Sequence, residues 1–179
     1  MQILAYCDVR YQKATREAVG EGALILTSPP IFDATLAREW FEGHDLIYLD
    51  LHGQPQSVYL YSGESQQYAA LSLEKARSLP LTNAIVFATS CYLPETKFID
   101  TFLQAGAAAV IAGQGKNYGG KQRMGGAQIL AQHFIELKSK MRGLPLEVLL
   151  SEARRKTMTF WNRRNPDIQD AMDFSLWKL

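Results

Sequence analysis

The chemistry of this sequence starts from two side chains, His52 and Cys91, each of which closes a short apolar run. The first run is Asp45-Leu46-Ile47-Tyr48-Leu49-Asp50-Leu51-His52-Gly53, and the second is Asn83-Ala84-Ile85-Val86-Phe87-Ala88-Thr89-Ser90-Cys91. A thiol is a nucleophile only as its thiolate, and a neighbouring imidazole is the common means of favouring that form. Singly, a buried cysteine is more often a small hydrophobe, and a histidine at a strand end a satisfied polar residue. Their pairing carries the functional reading. Gly53 adds to it, because a residue without a side chain allows close backbone approach. Its N–H and that of Cys91 are the candidate donors to an oxyanion, a role worth about 2.7–4 kcal/mol per donor.

Both runs are continuous, apolar and too short for helices, so they predict strands covered on both faces. An open parallel sheet puts its ligand crevice at the carboxyl ends of its strands, where His52 and Cys91 would both emerge. Period-two alternation sets Asp50 on the same side as His52. Asp50 would either orient the imidazole or line a substrate pocket.

Further strands are expected over Ile3–Val9, Ala23–Thr27, Ala107–Ala112 and the alternating Phe174–Trp177. Ser57–Tyr61 and Tyr68–Leu73 read as a hairpin or a peripheral loop. Helices are expected from Asp33 as cap to Phe41, over Leu73–Leu79, from Pro94 through Phe98, Ile99, Phe102 and Leu103 to Gly106, over Ala127–Lys140 and over Leu146–Lys156. Alternating strands and helices predict an α/β three-layer sandwich with a mostly parallel central sheet, as one domain over residues 1–179.

Composition narrows the classes. A formal charge of +1 points to no particular partner, and 47% hydrophobic residues suffice for a core. No apolar stretch approaches the roughly 20 residues that span a bilayer, and the start lacks a secretory signal. The expectation is a cytoplasmic protein without a membrane partner. Two cysteines, Cys7 and Cys91, are expected as free thiols. With no CxxC, no HExxH and three scattered histidines, no metal or other cofactor is expected.

An apolar strand ending in His-Gly, then one ending in a small residue and Cys, resembles the caspase-like cysteine peptidases. That wider group includes caspases, metacaspases, gingipains, legumain and separase. The likeness is strongest to CHAT domains, in which the cysteine strand and a helix precede a phrase like Phe102-Leu103-Gln104-Ala105-Gly106-Ala107-Ala108-Ala109-Val110-Ile111-Ala112. It covers about residues 23–156, and Phe174–Leu179 looks like the last strand of the family. The resemblance implies His52 as general base, Cys91 as nucleophile and an oxyanion site from the Gly53 and Cys91 amides. It implies a protein or peptide substrate and allows a regulatory protein partner. It also makes the loop after the first strand a pocket candidate, where Asp8 would select a basic residue and Arg10 an acidic one. Lys116 and Tyr118, in the glycine-rich loop Gly113–Gly126, are further candidate substrate contacts.

Two alternatives stand beside this reading. One is a non-catalytic caspase-like interaction module. The other, subordinate, is a nucleotide binder using Gly115-Lys116-Asn117-Tyr118-Gly119-Gly120-Lys121-Gln122, which misses a P-loop because Gln122 replaces the hydroxyl residue that would meet magnesium. Arg154-Arg155-Lys156 and Arg163-Arg164, with Phe160 and Trp161 between, read as a solvated helix face rather than a nucleic-acid contact.

Overall fold

The computed structural model describes residues 1–64, 66–117, 119–160 and 173–179. Five strands, β1 (Ile3–Asp8), β2 (Leu24–Ser28), β3 (Leu46–Asp50), β6 (Ile85–Ala88) and β7 (Ala109–Gly113), run parallel in one sheet. A sixth, β8 (Phe174–Trp177), pairs antiparallel with β7 at one edge, giving the order β2-β1-β3-β6-β7-β8. β4 (Tyr59–Ser62) and β5 (Tyr68–Ser72) form a separate antiparallel hairpin. β1, β3, β6 and β7 are buried along their whole length, which explains why their sequences do not alternate.

Helices cover both faces. On one side α2 (Leu73–Ser78) and α3 (Phe98–Gln104) pack Ala76, Phe98, Phe102 and Leu103 against Leu4, Tyr6, Ile47, Val86 and Val110. On the other, α4 (Gly126–Lys140) and α5 (Leu146–Phe160) bring Leu130, Phe134, Leu149 and Ala153 against Ala5, Tyr48, Phe87 and Ile111. α1 (Gln12–Val19) joins that second face through Val19. Phe87 stacks on Phe174 with ring centroids 5.6 Å apart, fastening β8 to the core. Fully burying one such ring is worth about 1.5–3 kcal/mol. The expected three-layer sandwich with a mostly parallel sheet is the fold observed.

Two expected helices are broken. Asp33–Phe41 is a pair of short 3-10 turns, Asp33–Thr35 and Arg38–Phe41, with Leu36 extended between them. Asp33 does not cap: its carboxylate accepts the N–H of Ser72 at 2.6 Å, holding the end of β5 instead. Leu36 and Phe41 are buried, whereas Trp40 is 37% exposed. Pro94 starts only a 3-10 turn (Leu93–Glu95), and extended Thr96 separates it from α3. The expected short helix at Leu73 does form, capped by Ser72, whose hydroxyl accepts the N–H of Lys75 at 3.0 Å.

No helix among the described residues is long and apolar enough to cross a membrane. Arg163, Arg164 and Trp161 lie outside the described residues. Arg155 pairs with Glu152 on its own helix at 2.6 Å.

Candidate active site

Because β1, β3, β6 and β7 are parallel, the segments that follow them collect at one edge of the sheet. β1 delivers Asp8 and the turn Val9–Tyr11, β3 delivers His52 and Gly53, β6 delivers Cys91, and β7 leads into the glycine-rich loop.

Gly53 and Cys91 approach each other closely. A Cβ built on Gly53 would overlap the carbonyl oxygen of Cys91 and lie 3.2 Å from its nitrogen. Only glycine fits there, so the chain just past His52 packs against the peptide of Cys91. The N–H of Gly53 makes no hydrogen bond among the described residues. His52 is itself fixed by reciprocal main-chain hydrogen bonds with Tyr61 of the hairpin, both 2.8 Å. The turn after Cys91 is sharp. Tyr92 is left-handed (φ 55°) and donates its N–H to the Gly115 carbonyl at 2.8 Å. A bulky residue there costs of order 1 kcal/mol or more and marks a constrained turn.

The imidazole of His52 meets Asp8 and Arg10. Its Nε2 lies 3.2 Å from Asp8 Oδ2 and 2.6 Å from Arg10 Nη2. One nitrogen cannot serve both partners in one tautomer. Arginine has only donors, so its contact requires an unprotonated Nε2, whereas a bond to Asp8 requires Nε2–H. The Asp8 pairing is the one that leaves Nδ1 free to take a proton. The Tyr11 ring tilts against the imidazole at 5.4 Å, and burial pushes its hydroxyl up to about 12.

Asp8 is fully buried. Its Oδ1 accepts from the Arg10 amide (2.9 Å) and Nε (3.0 Å), and its Oδ2 from Arg10 Nη2 (2.8 Å) and the Gly63 amide (2.7 Å). Burial opposes its charge, but hydrogen bonds from His52, Arg10 and Gly63 outweigh that and hold the carboxyl well below the usual carboxylate range.

Asp50 takes neither place expected of it. It is buried away from the imidazole nitrogens, accepting from Thr89 Oγ1 (2.8 Å), Thr15 Oγ1 (2.9 Å) and Gln128 Nε2 (2.7 Å). Burial pushes its carboxyl above the usual range against the pull of these donors. Asp8, not Asp50, touches His52.

The Cys91 sulfur is bracketed by the main chain of Asn117. The Asn117 N–H donates to it at 3.2 Å, and the thiol donates to the Asn117 carbonyl at 3.3 Å. A thiolate would keep the first contact and be repelled by the second. Asn117 is anchored by its own side chain, whose Nδ2 donates to the Ser90 carbonyl at 3.1 Å while its amide packs against Gly113. Lys116 is exposed beside it; Tyr118 lies outside the described residues. Cys7 is fully buried and burial raises its thiol to about 12, so at neutral pH it stays protonated. Cys91 is the partly exposed cysteine.

Two amides of the glycine-rich loop are already engaged within the chain. The amides of Gly120 and Gly125 converge on Gln128 Oε1 at 2.8 and 2.7 Å, and the other end of that side chain holds Asp50. Of the stretch Gly115–Gln122 put forward for a nucleotide, Gln128 takes the Gly120 amide. Asn117, Gln128, Thr15 and Glu64 were not readable as site residues. Each is a polar side chain whose partner lies on a distant element, and no spacing in the sequence announces that.

No protein-family model matches the sequence, and no curated protein matches it. Solved structures do. The Arg-specific cysteine proteinase gingipain R superposes with a TM-score of 0.64 at 11% identity, over 99% of this chain and 46% of its own. The complex of the pro- and mature domains of RgpB from Porphyromonas gingivalis gives 0.60 at 10% identity, over 99% and 47%. The chain thus spans a little under half the length of these structures. At such identity the likeness is one of fold alone, a caspase-like α/β sandwich with a mostly parallel sheet.

Proposed function

We propose that the chain is a caspase-like cysteine endopeptidase of the CHAT type, acting through an acyl-enzyme. The observation that carries this reading is the main-chain contact of Gly53 with Cys91, which brings the end of the histidine strand onto the cysteine peptide. Cys91 Sγ attacks the carbonyl carbon of the scissile peptide as its proton passes to His52. The amides of Gly53 and Cys91 hold the oxygen that gains charge. His52 returns the proton to the departing amine, leaving a thioester. Water, deprotonated by His52, then attacks the thioester, releasing the carboxylic acid and restoring the thiol. Asp8 favours the Nε2–H tautomer that these steps require. The partners this reading calls for are a protein or peptide substrate and, for control, a regulatory protein.

The test is labelling by an electrophilic peptide ketone. Wild type should be modified at Cys91, and Cys91→Ala should not be modified at all while keeping its circular dichroism. Persistent labelling that maps to Cys7 would sink the proposal.

A second reading is favoured by one observation: both reactive side chains already have internal partners, Arg10 on His52 and Asn117 on Cys91. A non-catalytic module that binds a protein partner through this edge would keep them so. It predicts no labelling of wild type by any peptide ketone.

A further inference from the structure

Four charges stand in a row beside His52. Asp8 and Arg10 are paired, Arg10 Nη1 reaches Glu64 Oε2 at 3.0 Å, and Lys121 Nζ holds the same Glu64 carboxylate at 2.9 and 3.0 Å. They come from three places: the end of β1 with the turn after it, the loop between β4 and β5, and the glycine-rich loop. One guanidinium joins them to the imidazole, with Nη2 on His52 and Nη1 on Glu64.

The two ends of the row differ in access. Asp8 has a side chain with 0% exposure, and both of its oxygens are occupied. A substrate cation would find there neither a path nor a free lone pair, and Arg10 would repel it. Glu64 is 70% exposed, Lys121 47% and Arg10 22%. An ion pair this open is weak and screened by salt, so a carboxylate from outside exchanges with Glu64 readily. With Glu64 swung away, the row keeps one negative and two positive charges, and both cations are left without that carboxylate.

We propose that Arg10 and Lys121 form a recognition pocket for an acidic side chain, Asp or Glu, of a bound peptide, and that Glu64 fills this pocket until the peptide displaces it. The peptide is a substrate only on the peptidase reading above, on which that part rests. The pocket charge is opposite in sign to what the Arg-specific neighbour of the same fold requires, so the selectivity belongs to this chain and not to the fold.

Binding is measured first, on full-length Cys91→Ala, so that chemistry plays no part. The probes are fluorescent acetyl-tetrapeptide amides that differ only in the last residue: Asp, Asn or Arg. The Asp peptide should bind at least about tenfold tighter than the other two, and the margin should shrink at high salt. Lys121→Glu should abolish the margin, and Glu64→Gln should tighten the Asp peptide several-fold while leaving the Asn peptide unchanged. Equal binding of Asp and Asn peptides, preference for Arg, or no binding of the Asp peptide at millimolar concentration overturns the pocket. Cleavage by wild type is measured separately. Selective Asp binding without cleavage overturns the peptidase reading and leaves the pocket; cleavage after Arg does the reverse.

Discussion

A methyl group placed on the Cα of Gly53 would overlap the carbonyl oxygen of Cys91, so these two residues touch through their main chains. The contact is made where the carboxyl ends of β3 and β6 converge. It fixes the Gly53 amide relative to the Cys91 amide without any side chain between them.

Gly53→Ala is therefore expected to push the two strand ends apart. Removing one oxyanion donor costs about 100- to 1,000-fold in turnover, and the variant should lose at least that much in kcat/KM on a peptide substrate. Rates within threefold of wild type, with an unchanged melting temperature, would show that the contact has no role in turnover.

Asn117→Ala removes the Nδ2 hydrogen bond to the Ser90 carbonyl and leaves that buried oxygen unpaired, at a cost of about 1–3 kcal/mol. It also loosens the residue whose main chain brackets the Cys91 sulfur. Urea unfolding should show the loss, and iodoacetamide should alkylate Cys91 faster than in wild type. Slower alkylation would mean that the Asn117 N–H activates the sulfur more than its carbonyl shields it.

Gln128→Met should be among the most damaging substitutions. It strips donors and acceptor at once from Asp50, Gly120 and Gly125, a loss on the order of 3 kcal/mol at about 1–3 kcal/mol per stranded group. Limited proteolysis should then cut in the Gly113–Gly126 loop, where wild type resists. An intact loop with a small stability change would refute the fastening role.

The pH dependence separates the two buried acids. Asp8 has a folded pKa below its unfolded value of about 3.9, so its contribution is fully present above that pH and is lost as pH falls through it. Asp50 has the opposite sign: its folded pKa is raised, so its contribution weakens as pH rises above about 3.9. Asp8→Asn should consequently destabilise most at neutral pH, on the order of 3 kcal/mol for breaking a buried pair. The gap to wild type should narrow as pH drops below about 4. A gap that widens in acid would reverse the assignment.

The strands were legible because burial on both faces writes uninterrupted apolar runs, as in Leu46–Leu49 and Ile85–Ala88, whereas their order in the sheet was not. The helices α4 and α5 were legible from their period. The stretch Asp33–Phe41 was misread because its capping signal, Asp33, is recruited by Ser72 of another element, a long-range event that local propensity does not encode. The same limit applies at the site. His52, Cys91 and Gly53 announce themselves through the runs they end, whereas Asp50 was assigned by alternation alone, and its partners Thr15 and Gln128 lie on helices far away in sequence. Asp8 and Arg10 were singled out by the family resemblance as alternative pocket residues, and their mutual neutralisation appears only once the side chains are in place.

The glycine-rich loop is pinned at both ends. At its near end the Gln114 amide bonds the Asp173 carbonyl at 3.2 Å and the Gln114 side chain bonds Ser175 Oγ at 2.9 Å, beside the β7–β8 ladder. At its far end Gln128 gathers Gly120 and Gly125. It therefore behaves as a bridge on two abutments rather than a flap on one hinge. Between them Gly115 and Asn117 are tied in turn to Tyr92 and Ser90. Access to the Cys91 sulfur then requires releasing the Asn117 main chain from it, and the C-terminal strand, which carries one abutment, takes part in holding that segment in place.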